Sequence, residues 1–389
     1  MSAPGIIASG SRDAYFALSE EIAGFRDQVR AWVASHVAPY ADAVGCGTFP
    51  QHSLTSAAEH GYMGIVVPAA YGGMGRDHLS FAIFVEEVAY ACASTAVALD
   101  VHASVGTEPL ILTGSDEQKA RYLPLLSDGS LLGAFALTEP DAGSDAAALR
   151  TIARRDGDTY RLDGSKIFIS NAGHAGIYTI LAATNRTVGS RGISAFLVPA
   201  DSEGLTVGPP QHKLGLLGSA TAELVLRNCR VPVSNMLGPE GAGFRVAMLA
   251  LDSGRIGISA QALGIARAAL YEAIHLLKKH HGPDVPQGKQ FVLADIGTHI
   301  EAARSLTWQA ARDCDAGESF TTIASMAKLL STDTAMYATS AAIDLVGDIM
   351  EPGAIARLER FFRDAKATQL YEGTNQIQRV VISRRLLGS

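Results

Sequence analysis

Apolar residues recur at helical spacing through residues 16 to 125: Ser19-Glu20-Glu21 leads into Ile22, Phe25, Val29 and Trp32, and Phe81, Phe84, Val85 and Val88 repeat the pattern. Such a rhythm predicts amphipathic helices. The glycine cluster Tyr71-Gly72-Gly73-Met74-Gly75 interrupts them, and Ser115-Asp116-Glu117-Gln118 reads as a capped helix start. From about Leu131 to Pro232 the pattern shortens to β-rich runs: Ala134 to Leu137, Thr159 to Leu162, Ile177 to Ile180, Ala195 to Val198 and Leu224 to Leu226. Asp156-Gly157-Asp158 and Asp163-Gly164 read as turns between strands. After Gly238-Pro239-Glu240-Gly241, long helical periods cover about 242 to 281, 288 to 314 and 321 to 346. The expected fold is α+β and multidomain: a helical N-terminal domain (1–130), a middle β-barrel or sandwich (131–235) and a C-terminal four-helix bundle (236–389).

Composition narrows the class. The chain has 389 residues, 48% of them hydrophobic and 18% charged, with a formal net charge of -7. No basic excess exists for a nucleic-acid footprint. No apolar run is long enough to span a bilayer, and Met1 to Arg12 reads as a frayed tail rather than a signal peptide. Cys46, Cys92, Cys229 and Cys314 are scattered, without metal-ligand spacing, which suits packing roles in a reducing, cytoplasmic setting. A soluble enzyme is expected, with no metal.

The most informative stretch is Tyr371-Glu372-Gly373-Thr374, between the basic run Arg360-Phe361-Phe362-Arg363 and the amphipathic stretch Asn375 to Leu387. It sets one carboxylate in a glycine-hinged turn at the mouth of a helix. Taken alone, Glu372 is either a charge favoured by the helix dipole or a base. Far upstream, residues 135 to 148 read Phe-Ala-Leu-Thr-Glu-Pro-Asp-Ala-Gly-Ser-Asp-Ala-Ala-Ala. Together the two segments resemble the acyl-CoA dehydrogenase family, and the resemblance runs from roughly Ala17 to Leu387.

That resemblance implies FAD, held without the Gly-x-Gly-x-x-Gly fingerprint, which this chain lacks beside any predicted strand. It implies that Phe135, Leu137, Thr138, Gly143 and Ser144 line the flavin ring, whose reduced form carries negative charge that hydroxyls and backbone donors suit. Gly164 to Asn171 resembles the family's Lys-x-Trp-Ile-Thr-Asn strand, with Phe168 in place of Trp and Ser170 in place of Thr. Thr374 is placed to cap the last helix, and with Gln376 it is expected at the pyrophosphate or ribose. A neighbouring subunit's clasp on the far end of the cofactor departs from pattern: His280 falls where relatives carry Arg, the connection to Gln287 is shorter, and Asp344 with Gly347 stands in a Gln-x-x-Gly-Gly segment.

For the reaction, the resemblance implies that Glu372 takes the α-proton of an acyl thioester while the β-hydride goes to the flavin, with Ser144, Tyr371 and Gly373 at the substrate. The alternative base position of some relatives is Gly254 here, which leaves Glu372 alone. Asp252 and Arg255, at i,i+3 spacing, either contact substrate or pair with each other. Asp100 and His102 are either a satisfied pair or a sign of a short or polar acyl chain. Leu217 stands where relatives usually have Arg, so the acyl group is carried on CoA or on a carrier protein. The implied partners are that acyl thioester, an electron-transfer flavoprotein and three further copies of the chain in a homotetramer, a dimer of dimers, within fatty acid metabolism. Two rivals stay open: a flavin oxidase or monooxygenase on the same fold, and a flavin-poor partner subunit of a mixed oligomer.

Overall fold

The computed structural model describes residues 18–349 and 351–388. The expectation for Met1 to Arg12 lies outside the described residues. The N-terminal part is helical: α1 (Glu20–His36), α2 (Ala41–Gly45), α3 (Gln51–Glu59), α4 (His78–Ala91), α5 (Ala93–Val101), a π-helical turn at His102–Thr107, α6 (Glu108–Thr113) and α7 (Asp116–Ser127). Ser19 caps α1 by accepting from the Ile22 N–H at 3.3 Å, and Phe25, Val29, Trp32 and Val33 form its buried face. Ser115 and Gln118 complete a reciprocal capping box on α7. By contrast α4 is buried on nearly every side, from Leu79 to Ala89, because it lies between α1 and the C-terminal helices.

The middle part is one eight-stranded sheet: β1 (Gly133–Ala136), β2 (Ile152–Asp156), β3 (Thr159–Ser170), β4 (Ile177–Ala183), β5 (Ile193–Pro199), β6 (Leu205–Pro210), β7 (Thr221–Pro232) and β8 (Met236–Leu237). Its order is β6-β7-β3-β2-β4-β5-β8, with β1 parallel to β4. Asp156-Gly157-Asp158 forms the β2–β3 turn region as expected, with Gly157 at φ +60°. Asp163-Gly164 does not turn the chain. It lies inside β3, where the register with β7 shifts between Leu162 and Gly164. Glycine is required there because φ is +153° and a Cβ would fall 2.4 Å from Thr151 Oγ1. The dipeptide thus makes a bulge.

Helices α8 (Gly243–His281), α9 (Gln287–Asp315), α10 (Thr321–Leu345) and α11 (Pro352–Thr368) pack on one another, and a fifth, α12 (Asn375–Leu387), lies against α10. α8 has 39 residues and touches α4, α5, the π turn and the sheet, so it is the spine of the fold. Charge is buried where α8 meets α4 and α9. Arg267 pairs with Glu86 and Glu87 at 2.6 Å each, and Arg304 reaches Glu86 at 2.8 Å. No described helix is long and apolar enough to cross a membrane. Of the cysteines, Cys92 and Cys229 are buried while Cys46 is exposed, so packing does not explain the last.

Candidate active site

The Tyr371–Thr374 turn joins α11 to α12, and its backbone is strained. Glu372 has φ +53° and Gly373 φ +85°. A non-glycine residue in that left-handed region costs about 1 kcal/mol and persists where its surroundings over-determine it. They do so here through the turn's carbonyls. Gln378 Nε2, from the first turn of α12, donates to Glu372 O at 3.1 Å and to Gly373 O at 2.9 Å. Lys328 Nζ, from α10, donates to Gly373 O at 2.9 Å and to Asn375 Oδ1 at 3.0 Å. Thr374 caps α12 by accepting from the Ile377 N–H at 3.4 Å, and the Tyr371 hydroxyl donates to Gln261 Oε1 on α8.

The Glu372 side chain is thereby driven against α8 and the π turn. A Cβ on Gly254 would lie 2.9 Å from Glu372 Oε2 and 3.3 Å from Val105 Cγ1, so glycine at 254 makes room for the carboxylate. Oε2 is buried and has no hydrogen-bond partner. Burial pushes the Glu372 pKa up to about 7, against the pull of Arg255 and Lys328. Burial in turn lowers Lys328 to about 7, although Glu372 favours its charge. The result is a carboxylate with a free lone pair, poised to take a proton near neutrality.

Asp252 and Arg255 pair with each other at 2.5 Å, and Asp252 also accepts from the Thr321 hydroxyl at 2.6 Å. The pair is internal to the bundle, and Arg255 acts on the turn through its field rather than by contact. Asp100 and His102 are not a pair either. His102 Nε2 lies 3.2 Å from both Met63 O and Leu126 O, so it carries the proton, while Nδ1 accepts the Gly133 N–H at 2.9 Å. Burial takes its pKa down to about 4, and it is a fully satisfied core histidine. Asp100 is equally buried, yet neither of its carboxyl oxygens has a partner.

In the sheet, Phe168 sits at φ +59° where the β3–β7 register shifts again, between Lys166 and Ile169. The bulge throws the ring outward, 64% exposed, beside a hollow lined by Pro209, Pro210, Gln211, His212, Lys213 and Glu223. Gly143 and Ser144 are exposed, Phe135, Thr138 and Ser170 half-buried, and Leu137 buried. Sequence reasoning passed over what fixes this loop. Lys166 Nζ, wholly buried, donates to Leu137 O at 3.0 Å and pairs with Glu139 at 2.7 Å, while Glu139 accepts from Arg150 N and Thr151 N. Lys328, Asn375 and Gln378 were missed too. A signal for the first existed: Lys328 is the only Lys or Arg in α10.

His280, Gln287, Asp344 and Gly347 are all exposed and gather at the far end of the bundle. There Lys289 Nζ donates to Leu345 O and Asp348, and His280 adds to the field on Asp348. His280 lies 26 residues beyond Gly254 on α8, about 39 Å along the helix. Gln376 is exposed on the first turn of α12.

A helical, sheet and helical order with a buried, unpartnered carboxylate oxygen packed on an α8 glycine defines a class, and sequence comparison places the chain within it. Models of the acyl-CoA dehydrogenase N-terminal, middle and C-terminal domains match residues 19–130, 134–229 and 241–387. The chain belongs to the acyl-CoA dehydrogenase family, FAD-dependent oxidoreductases. It is 45% identical over 378 residues to an acyl-CoA dehydrogenase of Bacillus subtilis, covering 95% of this chain and 99% of the relative. It is 41% identical over 376 residues to a short-chain specific acyl-CoA dehydrogenase of Clostridium acetobutylicum, covering 95% and 99%. The butyryl-CoA dehydrogenase structure from Megasphaera elsdenii superposes with a TM-score of 0.91 at 39% identity, covering 96% of this chain and 99% of that one.

Proposed function

We propose that the protein dehydrogenates a short acyl thioester between its α and β carbons, with Glu372 as the base that removes the α-proton. The observation that carries this reading is the buried, unpartnered Oε2 of Glu372, held in a strained turn by Gln378 and Lys328. The likeness to a short-chain specific relative and to a butyryl-CoA dehydrogenase supports a short chain.

The residues present fit a flavin. Phe168 offers an exposed aromatic face on a bulge, beside the loop that the Lys166–Glu139 pair holds rigid. Thr138, whose carbonyl accepts the Ile167 N–H at 2.9 Å, ties the loop to β3; Phe135, Leu137, Gly143, Ser144 and Ser170 are the residues proposed with it to surround the ring, and Thr374 and Gln376 open the positive end of α12 to phosphate or ribose. FAD, when bound, supplies the hydride acceptor. Glu372 then orients on the α-carbon and holds the proton on a carboxylate oxygen. Its own backbone N–H is available to the thioester carbonyl, where charge develops as the proton leaves. Tyr371, tied to Gln261, and Gly373, tied to Lys328, keep the turn from moving as that charge appears.

His280, Gln287, Asp344 and Gly347 lie too far along the bundle to meet the flavin bound beside Glu372 of the same chain. Their reach to a cofactor therefore requires a second copy, which supports a dimer as the unit from which the proposed homotetramer is built. The acceptor proposed is an electron-transfer flavoprotein, and oxygen uptake matching turnover would point to the oxidase reading instead.

The test is anaerobic bleaching of the flavin by butyryl-CoA. Wild type should bleach, while Glu372→Gln should keep its FAD and lose about 10²–10⁴ in rate. Unchanged bleaching in that variant would remove Glu372 as the base.

A further inference from the structure

Asp100 ends α5 with its carboxyl wholly enclosed, and it meets α8 at Gly257, where a Cβ would fall 1.8 Å from its Oδ1. Gly254, one turn earlier on the same face, receives Glu372. The two glycines that receive these carboxyl groups are about 4.5 Å apart in rise along α8. One turn beyond Gly257, Gln261 holds the Tyr371 hydroxyl and closes the row. The neighbouring acid Glu108 is already engaged, by the Ser253 hydroxyl and by His78 Nε2 at 3.1 Å. Neither Asp100 oxygen has a partner in hydrogen-bond geometry: the nearby Ser104 hydroxyl, which eases the charged form, donates to the Asp100 backbone carbonyl at 2.7 Å.

We propose that Asp100 is a specificity residue of the acyl pocket, which hydrogen-bonds a hydroxyl on the distal carbons of a short acyl thioester. This rests on the dehydrogenation reading above. With the α-carbon at Glu372, a separation of about 4.5 Å along α8 places the hydroxyl at roughly C4 or C5 of the chain. Charge selects the class. Burial, and after it the nearby Glu372, raises the Asp100 pKa well above the ordinary carboxyl range, so the group is a neutral acid that can both donate and accept. A distal carboxylate would meet Glu372 and Glu108. A distal ammonium would have to shed its water in a wholly enclosed site, a cost that pairing with an acid commonly fails to offset. An uncharged hydroxyl satisfies Asp100 without either conflict, whereas a plain alkyl chain seals it in unsatisfied.

The experiment compares anaerobic flavin bleaching by butyryl-CoA with 4-hydroxybutyryl-CoA, and by valeryl-CoA with 5-hydroxyvaleryl-CoA, using the FAD-loaded enzyme. In wild type, one hydroxylated thioester should exceed its alkyl counterpart about tenfold or more in kcat/KM. Asp100→Ala should invert that preference by improving the alkyl substrate, and Asp100→Asn, which keeps a donor and an acceptor, should retain part of it. Equal use of both members of each pair by wild type, or an unchanged ratio in Asp100→Ala, would overturn the assignment while leaving dehydrogenation standing. Should Asp100→Ala not fold with FAD, the wild-type ratios and Asp100→Asn decide. Absence of bleaching with all four thioesters would defeat the dehydrogenation reading and this one with it.

Discussion

Lys328 Nζ donates to the carbonyl oxygen of Gly373 at 2.9 Å, so a cation with no exposed surface holds the residue next to Glu372. The contact links α10 to Glu372 twice. It restrains the backbone of the turn, and its charge favours the ionised form of Glu372.

Lys328→Met should therefore slow flavin bleaching by about tenfold or more, since a misplaced catalytic group is costly. It should also move the acid limb of the rate–pH profile to higher pH, because Glu372 loses a cation that lowers its pKa. Lys328→Arg should keep the limb's position better than Met does. Stopped-flow bleaching across pH 5.5–9 reads both effects; a limb that stays in place under Met would confine Lys328 to the backbone role.

Glu372 also leaves a mark on stability. Its folded pKa of about 7 lies above its ordinary value of 4.5, so the folded state binds the proton more tightly than the unfolded chain. Stability from this group is whole below pH 4.5 and falls as pH rises toward 7. Glu372→Gln removes the charge and should stabilise the fold by about 1–3 kcal/mol at pH 8 with little effect at pH 4.5. Denaturant melts of the FAD-saturated proteins at the two pH values test the sign.

The helical periods and the β-rich middle were legible because burial imposes a 3.6-residue or a 2-residue rhythm directly on the residues. Asp163-Gly164 misled for a physical reason: a bulge and a turn both need glycine at positive φ, and only the close approach of Thr151, from the other side of the hairpin turn at Gly157, tells them apart. Glu372 could be picked out through its turn and the family resemblance. Its support was only partly legible: a lone lysine in α10 marks Lys328, whereas Gln378 acts on backbone carbonyls, and such bonds leave no spacing to read. Nor could Asp100 and His102 be separated on paper. One finds three backbone partners supplied by β1, α7 and the Tyr62–Gly64 turn, and the other finds none.

At Gly254 the available room is set by Glu372 and Val105. Gly254→Ala places a methyl 2.9 Å from Oε2, which forces the carboxylate aside. The gain in helix propensity of about 1 kcal/mol makes the fold no worse, but bleaching by substrate should fall about a hundredfold, the order expected when a reacting group is displaced by an ångström. FAD content and melting should stay near wild type. Full activity in Gly254→Ala would show that Glu372 reacts from a different position.

Arg267 joins Glu86 and Glu87 across the α4–α8 contact and lies over the Tyr90 ring at 4.7 Å. Although burial opposes it, Arg304 and Arg267 hold Glu86 down to about 2, so its contribution is present above pH 4.5 and is lost as pH falls toward 2. Arg267→Met leaves two buried carboxylates short of a cation and should destabilise the protein by about 3–5 kcal/mol at pH 7. Adding Glu86→Gln and Glu87→Gln should recover much of that loss, because the penalty belongs to the stranded charges and not to the missing pair. Urea unfolding of the single and triple variants separates the two: if the triple variant is no more stable than the single, the network's value lies in its geometry rather than in charge balance.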